Sequence, residues 1–156
     1  MRRKLKKKNE ILPDLRFESV KVAKMINYLM WSGKKSTARA VFYDAITYLE
    51  EKEKGQNPIE IFEEALRNTA PNMEVRSRRV GGANYQVPRE VRTERKLFLS
   101  MKWIIEAARS KKGSPMHKRL GDEILFASKN EGEAIKKKEN THKMAEANKA
   151  FAHFAW

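Results

Sequence analysis

The sequence predicts a mainly α protein: a bundle of about six helices with a projecting β-hairpin between the third and fourth, behind a basic N-terminal arm. Three observations carry this expectation. Apolar residues recur at the helical period over most of the chain. One stretch, from Met73 to Val91, instead alternates at the strand period around a Gly-Gly pair. Lysine and arginine total 34 against 20 acidic residues, and this net charge of +14 on 156 residues is crowded at the start, in the hairpin and toward the end.

Residues 1–18 read as an extended arm. Arg2, Arg3, Lys4, Lys6, Lys7 and Lys8 crowd its beginning and Pro13 opposes a helix, so order is expected there only on contact with phosphate. Residues 19–156 are then expected to form one domain, since a chain of this size supports one modest core. Val22, Ile26, Leu29 and Met30 make a first apolar stripe, ended by Gly33. Ser36 is placed to cap a second helix, whose stripe of Ala38, Val41, Phe42, Ala45, Ile46 and Leu49 stops by Gly55. Asn57 and Pro58 form an N-cap and first-turn pair for a third, with Ile59, Phe62 and Leu66 inward until Pro71.

The hairpin arms run from Met73 to Val80 and from Tyr85 to Val91 around Gly81, Gly82, Ala83 and Asn84, a turn sequence tolerant of positive φ. The arms carry few large apolar residues, so the hairpin should project from the helices. Thr93 is placed to cap a fourth helix with Leu97, Met101, Ile104, Ile105 and Ala108 inside, ending before Gly113. Ser114 and Pro115 repeat the cap and first-turn signature for a fifth, with Leu120, Ile124 and Ala127 inward. The last helix begins near Gly132 and runs through Lys136, Lys137 and Lys138 toward Met144, Ala147 and Phe151. Phe151, Phe154 and Trp156 lie beyond the regular pattern, and this tail is expected to order on RNA rather than in the free protein.

Several function classes drop out. Without cysteine there are no disulfides or thiolate metal sites, which fits a reducing cytoplasm. No apolar run approaches the roughly 20 residues of a membrane span, and no apolar stretch follows the basic start as a signal peptide requires. His117, His142 and His153 are far apart and lack carboxylates at metal-ligand spacing, so no catalytic residue, metal or cofactor is expected. Gly81 and Gly82 are turn glycines, because no Gly-Lys-Ser/Thr ending follows them.

The charge points instead to nucleic acid, the commonest polyanion that neutralises such an excess. Gly33, Lys34 and Lys35 stand at a helix junction where free backbone N–H groups also favour an anion. In the hairpin, Arg76 and Arg78 share one face and Arg79 joins Ser77 on the other, so planar guanidiniums can clamp phosphates or stack on bases. The competing reading is a helical regulator that binds DNA or mRNA. Groove recognition in DNA would need a recognition helix, whereas the cations here spread over loops, hairpin and tails.

Three blocks resemble ribosomal protein seven of the small subunit, the universal uS-seven family, in its bacterial form. They are Met25 and Ile26 with Gly33-Lys34-Lys35, Val41, Phe42 and Ala45; the hairpin from Met73 to Pro88; and the end, with Ala134, Lys136 to Glu139, His142 and the run from Met144 to Trp156. The resemblance covers nearly the whole chain and implies six helices plus a β-ribbon. It also implies a structural constituent of the ribosome in the cytoplasm. Such a protein is a primary binder of the 3′ major domain of 16S rRNA that nucleates head assembly and acts in translation as one copy within the ribosome. It implies nearby mRNA and exit-site tRNA, and contact with small-subunit proteins nine and eleven. By the same analogy the RNA contacts fall on the arm (Arg2, Arg3, Lys4), on Lys34 and Lys35, and on Arg76, Arg78 and Arg79. They continue at Arg95, at Lys111, Lys112, Lys118 and Arg119, at Lys136 to Lys138, and at Trp156. The lysine-rich arm and the segment from Ser110 to Arg119 depart from the family pattern.

Overall fold

The computed structural model describes residues 10–154, so Arg2, Arg3, Lys4 and Trp156 lie outside the described residues. Among these, the elements follow the expected order: α1 (Val20–Leu29), α2 (Lys35–Lys52), α3 (Pro58–Thr69), β1 (Met73–Val80), β2 (Ala83–Glu90), α4 (Thr93–Ser110), α5 (Met116–Ser128) and α6 (Glu133–Ala147). A terminal 3-10 helix, Lys149–Phe154, follows. The chain gathers into two compact units, Met1–Ala40 and Val41–Trp156, divided within α2.

In the first unit Val22, Ile26 and Leu29 of the expected α1 stripe are at most 6% exposed, whereas Met30, which follows the helix as its C-cap, is half-buried and Met25 joins the buried set. In the second, α5 packs against both α3 and α4, and α6 packs against α4 and β1. Phe42 of α2 meets Phe62 of α3 edge-on, with ring centroids 5.4 Å apart, among the buried Leu49, Met101, Ile104, Leu120 and Ile124. Gly121 lets α5 approach α2: a Cβ there would stand 2.7 Å from the Tyr48 ring. Next to it, the Tyr48 hydroxyl donates to Asp122 at 3.0 Å.

Helix starts separate right from wrong expectations. Asn57 does cap α3, its side-chain oxygen accepting from the Ile59 N–H at 3.0 Å. Ser36, Thr93 and Ser114 do not cap, because the first helical bond is accepted elsewhere: at the Lys34 carbonyl from Ala38, at Arg92 from Lys96 and at Pro115 from Arg119. Ser36 and Thr93 therefore fall inside the first turn, and Ser114 falls outside it.

The hairpin turn is tighter than expected. Ala83 and Asn84 pair with Val80 and Arg79, which leaves Gly81 (φ +55) and Gly82 (φ +89) alone in a two-residue turn of the type I′ pattern. Nor does the whole hairpin stand away from the helices. Val87 is 1% exposed, and the Tyr85 ring lies 5.3 Å from Phe151 and 5.1 Å from Phe154. The apolar residues of β2 are few, but they are grouped where the terminal 3-10 helix can cover them; only the tip, Gly81 to Asn84, is exposed throughout. The same contacts give Phe151 and Phe154 a partner surface within the protein, contrary to the expectation for these two rings; Trp156, the third residue of that expectation, lies outside the described residues.

Candidate nucleic-acid interface

The expected RNA-binding cations divide by what holds them. Lys34 is exposed in the turn between α1 and α2 and Lys35 at the first position of α2, Arg79 is exposed near the hairpin tip, and Lys112 and Lys118 are exposed around the start of α5. Local geometry puts them there: Lys34 and Lys112 adjoin glycines at positive φ, Lys35 and Lys118 stand in the first turns of helices, and Arg79 lies two residues before the Gly81 turn. No carboxylate among the described residues pairs with any of these five.

The other cations have work inside the protein. Arg76 donates from Nε to Glu74 Oε1 at 2.6 Å, and Arg95 of α4 reaches Glu74 Oε2 at 3.2 Å. One nearly buried carboxylate thus ties the hairpin base to α4. Arg78 Nη1 donates to the Phe154 carbonyl at 2.7 Å and so joins the hairpin to the terminal 3-10 helix. Arg119 Nη1 donates to the Lys111 carbonyl, closing the connection between α4 and α5.

Lys111 meets the fully buried Glu123 at Oε2 with Nζ 2.6 Å away. The contact is an ion pair, with the carboxylate inside and the lysine reaching it from the surface. Glu123 Oε1 accepts from the Ala134 N–H at 3.0 Å, which replaces the side-chain cap that Gly132 cannot give to α6. Glu123 was missed by the sequence reading, although a signal existed: it is the one acid within the Leu120, Ile124, Ala127 stripe of α5. Glu74, a lone acid among the β1 arginines, offered a weaker one.

The three lysines of α6 point to three partners. Lys136 pairs with Glu133 at 2.8 Å, Lys137 with Glu106 at 2.7 Å, and Lys138 donates to the Asn68 carbonyl at 2.6 Å. The Lys136 hydrogen bond pushes Glu133 below its ordinary pKa, and Glu133 in turn raises Lys136. At Glu106, burial alone would raise the carboxyl, but Lys137 and Lys102 together outweigh it and lower the group. His142 is lowered by burial first, then by repulsion from Lys138 and Lys96. Its Nε2 accepts from the Asn72 backbone N–H at 3.0 Å, so the neutral ring is the form that fits.

An arrangement of this kind offers exposed guanidinium and ammonium groups beside others held in place by the fold, and it suits binding of a phosphate backbone. Comparison with known proteins agrees with it. The family profile of ribosomal protein S7p/S5e matches residues 1–149. A "Small ribosomal subunit protein uS7" of Caldanaerobacter subterraneus subsp. tengcongensis is 56% identical over 149 residues, covering 96% of this chain and 95% of that relative. Proteins of the same name from Thermotoga maritima and Thermosipho africanus are each 53% identical over 156 residues, all of both chains. A match of this length leaves no part of the described fold outside it, and the chain belongs to the ribosomal protein S7p/S5e family.

Proposed function

We propose that this chain binds the 3′ major domain of 16S rRNA as a primary binder, nucleates assembly of the subunit head and lies beside mRNA and the exit-site tRNA. As a member of its family it is a structural protein of the small ribosomal subunit, not an enzyme; it works with rRNA in translation, on the cytoplasmic ribosome. The observation that carries the RNA reading is the set of exposed cations Lys34, Lys35, Arg79, Lys112 and Lys118, which lack carboxylate partners among the described residues. Arg76, Arg78 and Arg95 hold the hairpin in place and can still share their remaining N–H groups with phosphate. The arm residues Arg2, Arg3 and Lys4, together with Trp156, are further RNA contacts in this reading. Small-subunit proteins nine and eleven are the proposed protein neighbours, with a single copy of the chain in each subunit.

A regulator of DNA is disfavoured because the cations sit on turns and a hairpin rather than along one recognition helix. Filter binding to a 3′ major-domain rRNA fragment and to duplex DNA at matched salt separates the two, with preference for the fragment expected. Equal affinity for both, together with failure to co-sediment with small subunits, would overturn the proposal.

A further inference from the structure

We propose that the turn between α1 and α2 seats an unpaired RNA base on the Trp31 ring, with Lys34 and Lys35 taking the adjoining phosphates. The inference rests on the RNA-binding reading above and adds to it a stacking contact and the class of its ligand, a single-stranded nucleotide.

Trp31 is 72% exposed, although it directly follows the buried Leu29 and the half-buried Met30. Exposure of an apolar residue needs no explanation in itself. The turn that holds this one makes it different. The Lys34 N–H donates to the Trp31 carbonyl at 3.0 Å across Ser32 (φ +49) and Gly33 (φ +73), and the Lys35 N–H donates to the Gly33 carbonyl at 2.9 Å. Two successive positive φ values closed by that bond make a tight turn, which keeps its first and fourth Cα atoms within about 7 Å. Trp31 and Lys34 therefore stand side by side on rigid backbone. Ser32 occupies a region that costs a non-glycine residue free energy, so the turn is held against a local preference.

The surroundings favour RNA over a protein neighbour. Ser32, Gly33, Lys34, Lys35, Ser36 and Thr37 are all exposed. Protein interfaces deplete lysine at their centres. Single-stranded RNA, by contrast, is bound by aromatic rings that stack on bases while cations follow the backbone.

The test uses the full chain and a 3′ major-domain rRNA fragment, with affinity measured at several salt concentrations. Trp31→Ala should weaken binding by about 5- to 150-fold, the range of one stacked base, while leaving the salt slope and the unfolding temperature unchanged. Trp31→Phe should retain most of the affinity, and Trp31→Leu, apolar but without a π face, should lose it as alanine does. The double change Lys34→Ala and Lys35→Ala should instead reduce the salt slope by about one to two. If wild type binds and Trp31→Ala binds within twofold of it, stacking is overturned while the RNA-binding reading stands; a protein neighbour on Trp31 would give the same result. Equal binding by the Leu and Phe variants would also overturn it. A wild type that fails to bind the fragment at all overturns both.

Discussion

Truncating Lys111 would leave the Glu123 carboxylate, whose side chain has no access to water, without its counter-ion. Lys111→Ala should therefore lower folding stability, by less than the roughly 3 to 5 kcal/mol of a fully buried pair because Lys111 is itself about one-third exposed, read by thermal or denaturant unfolding. Lys112, its exposed neighbour, should cost less than about 0.5 kcal/mol when replaced. Binding should reverse the order: Lys112→Ala lowers the salt slope for rRNA, and Lys111→Ala leaves the slope of its folded fraction unchanged. A Lys111→Ala protein as stable as wild type would show that the buried pair carries no weight. His142 adds a pH dependence. Its pKa is held below the ordinary 6.5, so the unfolded chain takes up the proton first. The stability that the neutral ring contributes is thus complete above about pH 6.5 and is lost as the pH falls through the lowered value. His142→Gln should flatten that acid-side slope, and equal slopes in the two proteins would assign it to another group.

The hairpin and the terminal 3-10 helix stabilise each other, which changes what their substitution should do. Arg79→Ala removes an exposed cation, so stability should hold while rRNA affinity falls. Arg78→Ala loses the bond to the Phe154 carbonyl, and Tyr85→Ala uncovers Phe151 and Phe154. Both should speed amide exchange over Lys149–Phe154, and unchanged protection there would refute the coupling. Phe42→Ala, in the core, is the contrast: about 3 to 5 kcal/mol of folding with the RNA surface intact. How far these elements could be read in the sequence follows from the range of the forces that make them. Apolar period and Pro or Gly punctuation are local, so the order of the helices and the place of the hairpin were readable. The docking of the tail was not, because Tyr85 and Phe151 are joined by a contact between distant segments that no local pattern encodes. The site was half readable for the same reason: charge marks a basic surface, but only tertiary contacts tell Lys111, paired with a buried acid, from Lys112, which is open to solvent.

Of the 34 lysines and arginines, the number that meet phosphate sets how strongly salt acts, and the net excess of +14 is a useful reference count that the distribution of partners narrows. Each cation that displaces a counterion from the nucleic acid adds about 0.7 to 0.9 to the slope of log affinity against log salt. Engagement of the full net charge would give a slope of roughly 10 to 13, and a fourfold rise in salt would then weaken binding about a millionfold or more. The exposed set of Lys34, Lys35, Arg79, Lys112 and Lys118 alone gives a slope of about 3.5 to 4.5, or a loss of roughly 100- to 500-fold between about 50 and 200 mM salt. Arg2, Arg3, Lys4, Lys6, Lys7 and Lys8 would add about 4 to 5 to that slope if the arm follows the phosphate backbone. Removing residues 1–9 should therefore bring a slope near 8 to 10 down to about 4, with the unfolding temperature unchanged. A truncated chain with the wild-type slope would take the arm out of the interface. Affinity that stays flat with salt in the full chain would remove the electrostatic basis of the interface, since phosphate binding by cations cannot avoid releasing counterions.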